Sequence, residues 1–398
     1  MSDEVPEQWQ HVRLGEVVKP GYGKALDKSL RKDVGRYPVV GSAGLMAYTD
    51  SALAEGEVLV VGRKGNVGEV QVFRDGVWPI DTAYFLRPPQ SVDIGYFYHF
   101  LVAQEMKKLD SSTTTPSLRR EDLEAVNLRI PCLEEQREIV RILEEQFSRL
   151  DAAAASIAAV RRKAARLRAS FFKAALSGAL SPPDEADAWE LTSIGEIAEF
   201  GRKPPKDLLE ANSEVSFVPM ACVEEESGRI QLDQTIGAAE GKRRSLTYFE
   251  EGDVLFAKIT PCMENGKVAI AKGLRNGAAF GSSEFYVLQP LASRVRPEFL
   301  NYVLVDPNFR GIAARAMTGA VGQQRVPRKF VEDFQILIPP LGSQDAIIAM
   351  LKSQFSRIES ALLASEAIQE KLLATRRSLL HAAFSGELTK EWRDKNNG

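Results

Sequence analysis

The 398-residue chain is poor in the residues that build metal sites and disulfide frameworks, with three cysteines and three histidines. Cys132, Cys222 and Cys262 are far apart, odd in number and form no CxxC pair. Neither a zinc site nor a disulfide scaffold is indicated, and reduced thiols in a cytoplasmic protein are expected. His11, His99 and His381 fall in different elements without metal-ligand spacing, so no metal is expected. No apolar run is long enough to span a bilayer, and the start, Met-Ser-Asp-Glu-Val, lacks the pattern of a signal peptide. A phosphate-cradling Gly-x-x-x-x-Gly-Lys-Ser/Thr loop, a Gly-x-Ser-x-Gly elbow and a dinucleotide glycine fingerprint are all missing. Glu224-Glu225-Glu226 reads as solvated loop charge. The net charge of -3 withholds the basic excess of a typical nucleic-acid binder, so any cationic surface must be local. With no catalytic constellation, the chain reads as a binding protein rather than an enzyme.

What the chain does have is a repeat. Residues 133–180 and 341–388 align without a gap, and 18 of the 48 paired positions are identical. Gln146-Phe147-Ser148-Arg149 returns as Gln354-Phe355-Ser356-Arg357, and Ser177-Gly178 returns as Ser385-Gly386. Repetition over this length decides architecture before any single residue does. Each copy follows a far more divergent stretch that still shares landmarks. Leu14-Gly15-Glu16-Val17 matches Ile194-Gly195-Glu196-Ile197, and Glu55-Gly56-Glu57-Val58-Leu59 matches Glu251-Gly252-Asp253-Val254-Leu255. The expected order is lobe (1–131), long helix (132–180), linker and lobe (181–339), long helix and tail (340–398). The second lobe is the longer of the two.

Short β-branched runs such as 58–61, 69–73 and 267–270, punctuated by glycine and proline, predict strand-rich α+β lobes with curved sheets. Short helices are expected at 94–109 and 297–305. In the long helices, Leu143, Phe147, Leu150, Ala154, Ile157, Val160, Ala164, Leu167, Phe171 and Ala174 step by three and four. So do Leu351, Phe355, Ile358, Leu362, Ser365, Ile368, Leu372, Thr375, Leu379 and Ala382. Such steps mark a coiled-coil seam. Both helices take two successive steps of three at the same place, which suits helices packed on each other, antiparallel and related by a pseudo-two-fold axis. Leu143, Phe147, Leu150, Ile157, Leu351, Phe355, Ile358 and Leu362 are the expected packing residues. Proline precedes each helix and Ser-Gly ends it.

Side chains suited to nucleic acid cluster in the lobe loops. In the first lobe, Arg63, Lys64 and Asn66 lie in a glycine-rich loop between strands, and Thr114, Ser117 and Arg119 lie in a polar loop before the helix. Such groups reach phosphates and base edges, while glycine lets the backbone approach. In the second lobe the candidates are Arg243, Arg244, Lys258, Thr260, Asn265 and Lys267, with Ser282 and Ser283 on the same surface and Gln323, Gln324 and Arg325 in the loop before the helix. Separately, Arg161, Arg162, Lys163, Arg166, Arg168 and Lys173 form a run without an acid between Asp151 and Asp184. That run is a solvated helix face, a track for a polyanion or a docking face for an acidic partner.

Taken together, these features resemble the specificity subunit of type I restriction-modification systems over essentially the full length. The resemblance is carried by the twofold plan, the Ile-Pro starts running to Gln136 and Gln344, the two Gln-Phe-Ser-Arg tetrads and the Ser-Gly-x-Leu ends. Gly62-Arg63-Lys64-Gly65-Asn66-Val67-Gly68 with Asp81-Thr82-Ala83-Tyr84 resembles one recurring recognition-domain type, which adds Thr82 and Tyr84 to the candidates. The segment from Ile259 to Lys267 with Phe280-Gly281-Ser282-Ser283-Glu284-Phe285 resembles another. The resemblance implies two target-recognition domains that each read half of a bipartite, asymmetric site on double-stranded DNA. It implies helices that act as a ruler and bind two methyltransferase subunits. It also implies methylation of adenine by those partners and, with motor-nuclease subunits, cleavage. S-adenosylmethionine, ATP and magnesium would belong to the partners, and this chain would carry no cofactor of its own. A coiled-coil protein-interaction scaffold without DNA recognition is the alternative, and a stand-alone enzyme is a third reading.

Overall fold

The computed structural model describes residues 6–106, 116–179, 188–320 and 322–396. The chain forms two compact units, Met1–Ala158 with Glu366–Gly398, and Ala159–Ser365. Each unit therefore holds one lobe and one stretch of each long helix. The expected linker at 181–184 and the threonines at 113–115 lie outside the described residues.

The first unit is closed at its neck by the antiparallel pair Gln10–Arg13 and Asn127–Ile130. Its main sheet runs in the order Gly21–Tyr22, Ala83–Leu86, Val58–Gly62, Val70–Phe73, all antiparallel. Val58–Gly62 is buried at every position because it is covered on both faces, hence the unbroken apolar run. A three-stranded sheet, Gly44–Thr49, Tyr37–Gly41 and Trp78–Pro79, lies alongside.

In the second unit the neck is Glu190–Ser193 with Gln335–Ile338, and the main sheet is Ala198–Phe200, Phe285–Pro290, Val254–Ala257, Val268–Ile270. Strand for strand this repeats the first lobe's order. The companion sheet again contains a parallel pair, Glu214–Val218 with Ala278–Gly281, but gains Thr247–Glu250 at its edge. That strand and the helices Lys206–Glu210 and Ala238–Arg243 contribute to the longer second lobe. The lobe helix Pro297–Val305 falls where the sequence predicts it. Its counterpart is shorter than expected, Ile94–Ala103, begun by an Asp93 side chain that accepts from the Gly95 and Tyr96 amides. Leu109 lies outside the described residues.

The long helices are Leu133–Leu176 and Leu341–Ser385. Gly178 and Gly386 follow them at φ 75° and 87°, the left-handed conformation that ends a helix and that glycine adopts without strain. Within each unit the two helices run antiparallel. In the first, Arg376 pairs with Asp151 at 2.9 Å and covers the Phe147 ring, while Thr389, beyond the end of the second helix, reaches Glu135 at the start of the first. In the second, Phe172 packs on Phe355 with ring centroids 4.8 Å apart, and Arg161 reaches Ser365. Leu143, Phe147, Ile157, Leu351 and Ile358 are buried, and Leu150, Phe355 and Leu362 are half-buried, as a packing seam requires.

The seam departs from the predicted one at its irregular steps. Ala154, Val160, Leu167 and Ile368 are exposed, and Thr375 is exposed as well. A step of three falls about 60° short of a full helical turn. Ala154 and Val160 on either side of Ile157, and Ile368 beyond Ser365, therefore rotate off the buried stripe, while Leu362 stays half-buried. The central residue of each triple, Ile157 and Ser365, is the most covered.

Each lobe is fastened to its long helix by the same joint. Gln136 is fully buried; its Oε1 accepts from the Asp93 amide at 2.7 Å, and its Nε2 donates to the Ser91 and Pro131 carbonyls at 3.0 and 2.9 Å. Gln344, its repeat mate, accepts from the Arg296 amide at 2.8 Å and donates to the Arg294 and Pro339 carbonyls at 2.9 Å each. One turn beyond Leu143 and Leu351, Phe147 meets His99 of one lobe helix and Phe355 meets Tyr302 of the other. Arg376 and Arg168, also repeat mates, cover Phe147 and Phe355 in turn.

The joint can be tested at both of its layers. Gln136→Leu keeps the bulk but leaves an amide and two carbonyls buried without partners. A loss of about 3 kcal/mol in unfolding free energy is expected by urea titration, and Gln344→Leu should cost a similar amount. A loss below about 1 kcal/mol in both would show that the glutamines are incidental. In the aromatic layer, the pKa of His99 is lowered to about 4, first by burial and then by the Arg376 charge. The unfolded chain then binds a proton on this ring that the folded chain refuses. Stability from the neutral ring is complete above about pH 6.5 and falls as the pH drops towards 4, by at most about 3 kcal/mol. His99→Phe, which gives this joint an uncharged aromatic as Tyr302 does the other, should flatten that part of the pH dependence of the melting temperature. An unchanged slope would refute it.

Candidate nucleic-acid interface

In the first lobe the backbone gathers the predicted loop residues. The Arg63 and Lys64 amides donate to the Thr82 carbonyl, the Gly65 amide to the Pro116 carbonyl and the Leu118 amide to the Arg63 carbonyl. Lys64 and Ser117 form an isolated β-bridge. Arg63, Lys64, Asn66, Thr82 and Ser117 therefore share one surface although they span 55 residues of sequence. The approach is close enough that a Cβ on Gly62 would sit 2.0 Å from the Asn66 carbonyl oxygen, so only glycine fits there. Lys64 and Asn66 are exposed. The Arg63 guanidinium donates to the Asp81 carbonyl and lies over the Tyr22 and Tyr84 rings. Thr82 Oγ1 accepts from the Ser42 amide. Arg119 is exposed but forked onto Asp122. Thr114 lies outside the described residues.

Tyr84 is a correction. It is 1% exposed and donates its hydroxyl to the Leu118 carbonyl, so it supports the loop from beneath rather than facing a ligand. The exposed aromatic on this surface is Tyr22, 46% accessible, flanked by the Arg63 and Arg120 guanidinium groups. Its only trace in the sequence is an aromatic residue between two glycines.

In the second lobe the loops are again stitched by backbone. The Lys258 amide donates to the Glu284 carbonyl, the Thr260 amide to the Gln324 carbonyl and the Val326 amide to the Lys258 carbonyl. This unites Lys258, Thr260, Ser282, Ser283, Gln323, Gln324 and Arg325. Lys258 Nζ donates to the Ser283 carbonyl and sits over Tyr286. Arg325 grips Glu284 with two hydrogen bonds of 2.9 and 2.7 Å, which hold that carboxyl below its ordinary pKa. Three candidates are occupied with structure. Thr260 Oγ1 contacts the Met317 sulfur, Asn265 donates to Glu225, and Lys267 is half-buried and donates to the Met220 carbonyl. Lys267 therefore serves the lobe interior. Arg243 and Arg244 are exposed at the end of a different element, Ala238–Arg243, with Arg244 over Phe217.

On the first long helix, Arg161 and Arg168 are engaged by Ser365 and Glu226, whereas Arg162, Lys163, Arg166 and Lys173 are exposed. Val160, Leu167, Leu363, Ile368 and Leu373 add exposed apolar side chains to the long helices. In the first unit a groove of about 980 Å³ opens beside Val102, Arg129, Leu373, Arg377 and His381. Among the described residues no cluster of histidine, cysteine or acidic side chains could hold a metal ion, and no helix is long and apolar enough to cross a membrane.

Comparison with known proteins agrees with this arrangement. The chain is 33% identical over 218 residues to the type I restriction enzyme EcoEI specificity subunit of Escherichia coli, covering 53% of this chain and 36% of that protein. It is 35% identical over 198 residues to the EcoAI specificity subunit of the same species, covering 49% and 33%. The match thus spans about a third of the length of these two relatives. A solved chain from a study of assembly and conformational transition in a type I restriction-modification system shares the fold, with a TM-score of 0.67 at 19% identity over 96% of this chain and 98% of that one. The sequence model of the type I restriction modification DNA specificity domain matches twice, at residues 6–160 and 186–368, each match taking in one lobe and the first part of the helix that follows it. With both copies of that domain present, the chain belongs to the type I restriction modification DNA specificity family.

Proposed function

We propose that the two lobes are separate target-recognition domains, each reading one half of a bipartite, asymmetric site on double-stranded DNA. One observation carries this reading: the joints at Gln136 and Gln344 are the same bond for bond, while the loop surfaces the lobes present are built from different residues. A conserved mount with unlike readers suits a target whose halves differ. The paired helices act as the spacer that sets the gap between halves. Their exposed apolar residues and the first unit's groove offer seats for protein partners, since contiguous exposed apolar surface marks interaction sites. The partners in this reading are two methyltransferase subunits that modify adenine with S-adenosylmethionine, joined in restriction by motor-nuclease subunits that use ATP and magnesium, all in the cytoplasm. This chain contributes recognition and positioning, with no chemical step of its own. Because Arg325 and Arg119 are held by acidic side chains, most sequence-independent affinity would come from the assembled complex.

The test is methylome sequencing of cells that express the chain with its methyltransferase partner. Replacing residues 9–130 by the first lobe of another family member should change one half of the methylated sequence and leave the other half and the gap unchanged. Changes in both halves would refute independent reading. Lys64 is exposed and makes no ion pair among the described residues. Lys64→Ala in the complex should lower the slope of log affinity against log salt by about 0.9, one phosphate contact. An unaltered slope would remove Lys64 from the interface.

A further inference from the structure

We propose that the hairpin tip at Leu45 and Met46 is an apolar wedge that the first lobe inserts between base pairs of its DNA target. The inference rests on the DNA-reading function proposed above. Tyr37–Gly41 and Gly44–Thr49 pair antiparallel around the turn Ser42-Ala43. In a regular strand consecutive side chains alternate between faces, so one of two neighbours is normally covered. Here the register shifts between Val39 and Val40: Val39 faces Ala47 and Val40 faces Leu45, leaving Met46 as an extra residue. This bulge breaks the alternation, and Leu45 and Met46 are 56% and 54% exposed side by side. Bulges re-aim side chains in this way next to functional sites.

The hairpin's position decides what the pair meets. The Ser42 amide donates to Thr82 Oγ1, and the Gly41 carbonyl accepts from Gln71. A Cβ on Gly62 would lie 3.3 Å from Ser42 Cβ, and one on Gly65 3.7 Å from Ser42 Oγ. The turn therefore rests on the loop that carries Arg63, Lys64 and Asn66. Glu69 and Asp81 flank that loop, but Arg63 and Lys64 form no ion pair among the described residues, and Lys64 is exposed and available to phosphates. Leu30 and Val34 are also exposed, but they lie towards the other end of this strand pair, where Lys32 bridges Tyr48. Adjacent leucine and methionine within a polar, cationic loop cluster have the chemistry of side chains that unstack a base step while neighbouring cations hold the backbone. A base modified within a duplex must also leave the stack, and a wedge lowers the cost of that opening.

The experiment uses the full chain in complex with its methyltransferase subunits. The probe is a duplex carrying the methylated sequence, with 2-aminopurine placed in turn at positions other than the methylated adenine. The wild-type complex should raise fluorescence severalfold at one step within the half read by the first lobe. Leu45→Ser with Met46→Ser should abolish that rise and weaken binding about tenfold or more, with the salt slope unchanged because no phosphate contact is lost. Both side chains are exposed, so the melting temperature should stay at the wild-type value. A variant that keeps the fluorescence rise and the affinity overturns the wedge. So does a variant that keeps the DNA signal but sheds methyltransferase subunits in gel filtration, since the tip would then be a protein contact. Tight wild-type binding with flat fluorescence strikes out the wedge alone, whereas no DNA binding by the wild-type complex removes the recognition function beneath it.

Discussion

Everything the lobes can do depends on how they are held, and they are held by two buried glutamines. Gln136 and Gln344 each satisfy three backbone groups just before and at the start of a lobe helix and a long helix. A buried amide with all three bonds made fixes orientation as well as distance, because any tilt of the lobe breaks at least one of them. A leucine there would bury comparable apolar area yet specify no angle. The aromatic contacts one turn further on, His99 with Phe147 and Tyr302 with Phe355, add area to the same joint. In the first unit a further fastening is present: buried Glu135 receives Trp9 Nε1, Thr389 Oγ1 and the Arg393 guanidinium. The acid's repeat mate is Ser343, so the second unit carries no carboxylate at that position.

The sequence was legible where structure is local or repeated. Helix ends follow from proline and Ser-Gly, strands from β-branched runs, and the joint residues stand among the 18 identities of the repeat. The seam was legible as far as its regular steps went. Steps of three left it ambiguous which residue of each triple stays covered, and the answer, Ile157 and Ser365, came from packing against the partner helix. The candidate interface was less legible for a different reason. The loops at 62–68, 81–82 and 116–118 are joined by backbone hydrogen bonds, which leave no side-chain signature. Tyr84 became a candidate through the family resemblance and Tyr22 did not, yet Tyr84 is a buried strut and Tyr22 is exposed.

Residue type also says nothing of which cations are already spent. Arg325, Arg119 and Arg310 are each matched with a carboxylate, and Arg202 with two. The exposed pairs of Arg119 and Arg325 add little stability, but they preset side-chain direction, and a guanidinium forked onto an acid offers its remaining donors along a fixed line. Such a group reads geometry more than it supplies charge. A net charge of -3 is consistent with this arrangement.

The two lobes also show how recognition can diverge without cost to the mount. Both keep the order of the four main strands and the parallel pair of the companion sheet. The second lobe adds an edge strand and the helices Lys206–Glu210 and Ala238–Arg243 around that companion sheet, while Pro307–Ala316 packs on the core of the main sheet through Phe309. The insertions leave the neck strands and the glutamine joint unchanged in bonding. Sequence drift in the lobes is therefore tolerated wherever it spares the neck, the main sheet and the three backbone groups that each glutamine binds. In the reading proposed above, recognition falls to the loops, and holding the lobes in place falls to the joint and the helices. The repetition of one and the divergence of the other are what that separation of physical roles produces.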